Sequence, residues 1–192
     1  MAKKLQLTLA VLKPDMMVNP FRAKAVKEHI INNGFLIVRS RLVKWKVEDA
    51  EKFYAEHEGR FFHSRLLCSM TNMVMNPLIL AHPDAIKAWR ALMGPTKVLR
   101  GLVEQPNTMR TMYGFTDTRN GLHGADSEES VRREIPFFFK DFDVDKWIAE
   151  EEHRYRAETP RYDPHQGVHT FEPLPSAAHI TGKLAETAKP VS

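Results

Sequence analysis

At 192 residues and 43% hydrophobic content, the chain can bury one sizeable core, so a single domain followed by a tail is expected. Its single cysteine, Cys68, excludes an intrachain disulfide and suits a reducing compartment, and no apolar run reaches the roughly 18 residues of a membrane span. The pI is about 9.2, but net charge is only +4 and no dense Lys/Arg tract carries interleaved aromatics, so nucleic-acid binding is not expected.

Leu5 to Val11 alternates apolar with small or polar residues and then becomes continuously apolar, which predicts a buried strand stopping at Lys13-Pro14-Asp15. Lys13, a charge at the mouth of that strand, is either a rim residue or a phosphate contact. Ala23, Val26, Ile30 and Ile31 mark one face of a helix that Asn32-Asn33-Gly34 closes, glycine being a good C-terminal cap. Phe35 to Val43 is predicted as the second strand. Val47, Ala50, Phe53 and Tyr54 have helical spacing, and a second helical piece follows through Leu66, Leu67 and Met70. Met73 to Leu80 predicts the third strand, although Pro77 removes a ladder donor and implies a bulge or an early start to the next helix. His82-Pro83-Asp84 opens that helix, with Ile86, Trp89 and Met93 on its apolar face, Arg90 near its last turn and Gly94-Pro95-Thr96 at its end. Lys97 to Tyr113 lacks a strong period and is expected to be a long loop, a feature uncommon in compact domains unless functional. Trp147 is the last apolar anchor. The domain is therefore placed at residues 5–150, and residues 151–192, with scattered Pro, His, Thr and Ser, are expected to be a largely mobile tail.

This order of elements fits an α+β, ferredoxin-like sandwich in which helices cover a four-stranded antiparallel sheet. There is no G-x-x-x-x-G-K-[ST] phosphate loop, which argues against P-loop kinases.

Asn120-Gly121-Leu122-His123-Gly124-Ala125-Asp126-Ser127 leads into an acidic helix start. Glycines one and two positions from His123 leave little bulk around its ring. Asp126 followed by Glu129 fits a capping box, Glu128 and Glu129 suit the helix dipole, and Val131, Ile135 and Phe138 or Phe139 continue the apolar spacing. A lone histidine there would be an incidental surface residue. However, Asn-x-x-His-Gly-x-Asp-Ser strongly resembles the active-site signature of the nucleoside diphosphate kinase family, and the resemblance extends over about residues 5 to 140. The Glu-His-Glu-Gly-Arg-Phe-Phe run at 56 to 62 and Thr-Asp-Thr-Arg-Asn at 116 to 120 look most like the divergent type called nucleoside diphosphate kinase 6.

The resemblance implies a sheet in the order β2-β3-β1-β4 and a ping-pong transfer. In it His123 takes the γ-phosphoryl group from a nucleoside triphosphate and passes it to a diphosphate. It makes Lys13 a contact of the transferring phosphate, Arg90, Thr96 and Arg110 phosphate binders, and Asn120 the partner of the sugar 3′-hydroxyl. Glu134 would hold the other ring nitrogen of His123. Tyr54, Phe62 and Leu66 match nucleotide-cleft positions, Phe62 by stacking on the base; for Leu66, core packing is an equal reading. Magnesium is implied through the nucleotide phosphates, with no dedicated protein cage. The resembled type is associated with the mitochondrion; no Arg- and Ser-rich transit peptide is visible, so mitochondrial and cytoplasmic locations both stay open.

Three features depart from the family pattern. Ala125 replaces a usual serine, Pro136 falls just after Glu134 and should kink the helix, and the loop before Arg110 is about three residues longer than usual. The first two could misplace Glu134 from His123. A competing reading follows, an interaction or regulatory protein with weak or no turnover that works through a partner protein. The longer loop also favours a monomer or dimer over the family's hexamer.

Overall fold

Strand β1 (Gln6–Leu12) runs through the middle of a four-stranded antiparallel sheet in the computed structural model, which describes residues 3–171. Helix α1 (Pro14–Met17) and helix α2 (Pro20–Asn32) follow, then β2 (Leu36–Ser40), α3 (Val47–Phe53), α4 (His63–Thr71) and β3 (Asn76–His82). Next come α5 (Ala85–Met93), α6 (Val98–Glu104), α7 (Met109–Tyr113), β4 (Leu122–Gly124) and α8 (Glu128–Phe138). Sheet order is β2-β3-β1-β4, with all three pairings antiparallel, so the expected ferredoxin-like α+β sandwich is the fold observed.

Successive strand residues point to opposite faces, which explains why β1 is continuously apolar from Leu9 to Leu12: it feeds two cores. Leu7, Leu9 and Val11 join Val38, Ile79 and Ala81 beneath α3, α4 and α8. Ala10 and Leu12 join Ile37, Leu78 and Leu80 beneath α2 and α5, where Trp89 is wholly buried. Each large side chain so buried contributes about 1.5–3 kcal/mol. Asn19 caps α2 by accepting from the N–H groups of Phe21 and Arg22, with Pro20 at the first helical position, where its missing donor costs nothing.

Pro77 lies within β3, a central strand, and neither ends it nor starts a helix. Its carbonyl accepts from the Arg41 N–H, so its donor-less nitrogen faces the β2 side, just past the last paired residue, Ser40. The reciprocal bond to the Arg41 carbonyl is therefore missing, and Asn76 Nδ2 donates to that carbonyl at 2.8 Å instead, while the register shift falls between Ile37 and Arg39. Three other expectations are corrected. The stretch 97–113 is not a loop but two short helices, with the Thr111 hydroxyl donating to carbonyls of the turn between them and Asp117 accepting from the Val98 N–H at the start of α6. The cap of α8 is Ser127 rather than Asp126; its hydroxyl accepts from the Ser130 N–H, while Asp126 accepts from the Ser130 hydroxyl. Pro136 sits inside α8, which continues to Phe138.

The third correction concerns the end of the chain. Helix α9 (Val144–Glu150) brings Trp147 into the core, and residues 151–171, expected to be mobile, form α10 (Glu152–Ala157) and a hairpin of β5 (Arg161–Asp163) and β6 (Val168–Thr170). Glu152 is buried, accepts from the Leu5 N–H at 2.8 Å and pairs with Arg156. His169 accepts, through Nδ1, the N–H of Ile37 on the edge strand β2 at 2.8 Å. Burial pulls the His169 ring below its usual range, which keeps it the neutral acceptor this bond requires. Polar side chains thus fasten this extension, which is why apolar periodicity does not reveal it. Residues 172–192 of the expected tail lie outside the described residues. Among the described residues no helix is long and apolar enough to cross a membrane.

Candidate active site

His123 is the middle residue of β4, paired with Val11 of β1. The chain reaches it through Gly121, whose φ of 79° is one that side-chain-bearing residues rarely adopt. It leaves through Gly124, where a Cβ would collide with the indole of Trp89. Trp89 also donates its Nε1–H to the His123 carbonyl at 3.3 Å. The glycines beside the histidine therefore admit buried neighbours as much as a ligand.

The His123 ring stands edge-on to Phe53 and Tyr54, with centroids 5.3 and 6.1 Å away. Its Nε2 lies 2.7 Å from Oε2 of Glu134, a buried carboxylate on α8. A carboxylate facing Nε2 takes the Nε2–H and leaves the lone pair on Nδ1. Neither Ala125 nor Pro136 has disturbed this pair. Ala125 is itself buried and donates its N–H to the Leu9 carbonyl, so the missing hydroxyl is replaced by core packing.

Positive charge surrounds the ring. Lys13, at the end of β1, is buried and donates from Nζ to Asn120 Oδ1 at 2.8 Å, and Asn120 donates in turn to the Asp117 carbonyl at 2.8 Å. Burial, followed by the Arg110 guanidinium, pulls Lys13 down to about 8, with Asp15 opposing. Arg110, on α7, spends its Nη1 and Nη2 on the carbonyls of Gly94 and Leu122, each at 2.9 Å, while its buried Nε has no partner. Burial and then Arg90 lower it to about 10, which still leaves it charged at neutral pH. Although the segment before it is longer than usual, Arg110 is held by α7 and these two carbonyls. Arg90 from α5 and Thr96 beyond it are exposed on the same side.

Tyr54 is buried and its hydroxyl has no hydrogen-bond partner; burial, then the Glu134 carboxylate, push it far above its usual range, so it stays protonated. Phe62 is half-buried against the core and edge-on to His57 and to the exposed Phe61. Leu66 belongs to the core and also reaches the cleft wall, so its two readings coexist. Every residue singled out from the sequence, from Lys13 to Glu134, borders one cleft of about 1530 Å³. That exceeds the usual range for small-molecule pockets and is ample for a nucleoside triphosphate. Sequence reasoning missed Phe53, Glu56, His57 and Arg133 as neighbours of this centre; Phe53 reads only as a helix face residue, Glu56 and His57 only as part of the 56–62 run, and Arg133 carries no motif. Asp15 was also missed, although it accepts the Gly121 N–H at 2.9 Å and so shapes the turn before the histidine.

Comparison with known proteins agrees with this layout. The family model described as nucleoside diphosphate kinase matches residues 6–144. Nucleoside diphosphate kinase 6 of Mus musculus is 50% identical over 165 residues, covering 86% of this chain and 87% of its own. The protein of that name from Homo sapiens is 49% identical over 165 residues, covering 86% and 89%. Among solved structures, the nucleoside diphosphate kinase of Aquifex aeolicus superposes with a TM-score of 0.66 at 32% identity, covering 70% of this chain and 95% of its own. A halophilic nucleoside diphosphate kinase from Halobacterium salinarum in complex with CDP superposes at 0.64 with 28% identity, covering 74% and 97%.

Proposed function

The chain belongs to the nucleoside diphosphate kinase family, and from that premise we propose that it moves the γ-phosphoryl group of a nucleoside triphosphate onto a nucleoside diphosphate through phosphorylated His123. The observation that carries this reading is the 2.7 Å contact between His123 Nε2 and Glu134. It leaves Nδ1 as the nucleophile, within a cleft that also holds Lys13 and Arg110.

In the first half-reaction the Nδ1 lone pair attacks the γ-phosphorus. An N–P bond forms, the bond to the β-phosphate oxygen breaks, and the diphosphate leaves. The imidazolium that develops keeps its Nε2 proton and is stabilised by the Glu134 carboxylate. In the second half a β-phosphate oxygen of the acceptor attacks the same phosphorus and restores the neutral ring. Dividing one exchange between a covalent intermediate and two simpler steps is the general benefit of a protein nucleophile. Phosphoryl transfer otherwise asks for positioning and charge stabilisation, which Lys13, Arg90, Arg110 and Thr96 supply on this reading. Asn120 reaches the sugar hydroxyl, and Tyr54, Phe62 and Leu66 form the base wall. Stacking on Phe62 uses a π-face that every base presents, so base identity should matter little.

Magnesium fits this arrangement as a passenger on the nucleotide. Among the described residues no group of three or more His, Cys, Asp or Glu side chains is placed to hold a metal, so the phosphate oxygens would hold it. When bound it neutralises phosphate charge.

The decisive experiment is incubation with γ-labelled ATP, then acid treatment and addition of unlabelled diphosphates. Acid-labile label that transfers to ADP, GDP and CDP, and that His123→Ala abolishes, is expected. A folded protein that takes no label would instead favour the interaction or regulatory reading. On assembly we propose a monomer or dimer, because about three extra residues before Arg110 would shift the surface through which the family's hexamer closes. Light scattering over a range of concentrations checks this, and a stable hexamer at low micromolar protein refutes it.

A further inference from the structure

Glu134 has two carboxylate oxygens, and only Oε2 is used by His123. Its Oε1 lies 3.5 Å from Arg133 Nη2 on the same helix. The other end of that guanidinium, Nη1, is 3.6 Å from Glu56 Oε2, in the turn after α3. Glu56 Oε1 is in turn 3.8 Å from His57 Nε2, and the His57 ring stacks on Tyr54 with centroids 5.9 Å apart and planes 19° from parallel. A string of opposite charges, Glu56, Arg133 and Glu134, therefore runs along the cleft rim to His123, joining two segments that are far apart in sequence.

We propose that Arg133, itself paired with Glu56, tunes the negative charge that Glu134 presents to His123 and so sets the pH range over which His123 is an available nucleophile, an inference that rests on reading His123 as the phosphoryl carrier. Two physical reasons support it. First, Glu134 is buried while Arg133 and Glu56 are half-exposed, so the strap connects an enclosed charge to the solvent-facing rim. Second, the two partners act with opposite sign. Arg133 offsets the negative charge that stabilises a protonated His123, and Glu56 offsets Arg133.

Other charged groups line the same cleft: Lys13 from the end of β1, Arg65 from α4, Arg90 from α5, Lys97 before α6, Arg110 from α7, Asp117 and Arg119 before β4, and Asp126 after it. They are not in this string and are common to all the variants below. Tyr54 remains protonated throughout.

The test is an NMR titration of the His123 ring in the nucleotide-free full chain, run beside the pH dependence of labelling by γ-labelled ATP. Relative to wild type, Arg133→Gln should move the His123 midpoint up and Glu56→Gln should move it down, each by about 0.2–0.5 unit, as expected for half-exposed ion pairs. Arg133→Lys should restore most of the shift, and the acid limb of the labelling profile should follow, changing the rate two- to threefold at a fixed pH on that limb. Damage to the fold alone would not produce shifts of opposite sign. Midpoints that do not move, or that move in the same direction in both variants, overturn the strap. Its failure is distinguishable from failure of the kinase reading: an unlabelled protein whose titration shifts as described keeps the strap and loses the carrier, while a labelled protein with unmoved midpoints does the reverse.

Discussion

Lys13 is charged, buried, and bonded to a neutral amide oxygen, so the fold should be less stable for holding it. Its value falls from 10.5 in an unstructured chain to about 8 in the fold. Each unit corresponds to about 1.36 kcal/mol, so keeping the ammonium in place at neutral pH costs on the order of 3 kcal/mol. For the sign, the unfolded chain binds more protons than the folded one between about pH 8 and 10.5, and stability therefore rises with pH across that window. Between pH 7.5 and 9.5 the gain from this one group works out at about 2 kcal/mol. Lys13→Met removes it. At pH 7.5 the variant recovers the burial cost but leaves Asn120 Oδ1 without its donor, a loss of about 1–3 kcal/mol, so its net stability changes little. The diagnostic is the difference between wild type and Lys13→Met in urea unfolding free energy at the two pH values. A difference that narrows or widens by less than about 0.5 kcal/mol over this range refutes a strained, charged Lys13. Nucleotide phosphates should suppress the effect, because they supply the negative charge the site lacks.

Two further outcomes are expected. Phe62→Ala should weaken ADP, GDP and CDP together, by about 1–3 kcal/mol in titration calorimetry, as stacking predicts; loss of one base alone would mean that a hydrogen-bonding reader exists. A chain ending at Glu158 loses the bond between His169 and Ile37 and the packing of Phe171, so its thermal midpoint should fall by more than the 2–4 °C that about 1 kcal/mol produces in a domain of this size. An unchanged midpoint would show that the hairpin contributes nothing to the fold.

What was legible in the sequence divides by physical cause. The two-faced burial of β1 is written as a continuous apolar run, and the α5 face as Ile86, Trp89 and Met93. The site residues were legible through the motif around His123 and its companions at Lys13, Arg90 and Arg110. Helix α6 was not, because Leu99, Leu102 and Val103 are exposed while Val98 and Gly101 are the buried positions. Its apolar pattern therefore points away from the core and leaves no inward stripe. The cap of α8 was misplaced by one residue because Asp126 and Ser127 are both good acceptors, and only the backbone decides between them. The extension after Trp147 is held by Glu152 on a backbone N–H and by His169 on another. Such contacts have no period. The Glu56–Arg133 contact is equally silent, since it depends on the turn after α3 arriving beside α8.

The position of β4 in the sheet has a consequence for how the protein is made. As the chain emerges from the ribosome, residues through His82 can complete β2, β3 and β1, but the second edge of β1 stays open until Leu122–Gly124 arrive. An open edge on a largely apolar strand is a template for mispairing. The three residues that close it include His123, so the strand that ends this vulnerability also carries the proposed nucleophile.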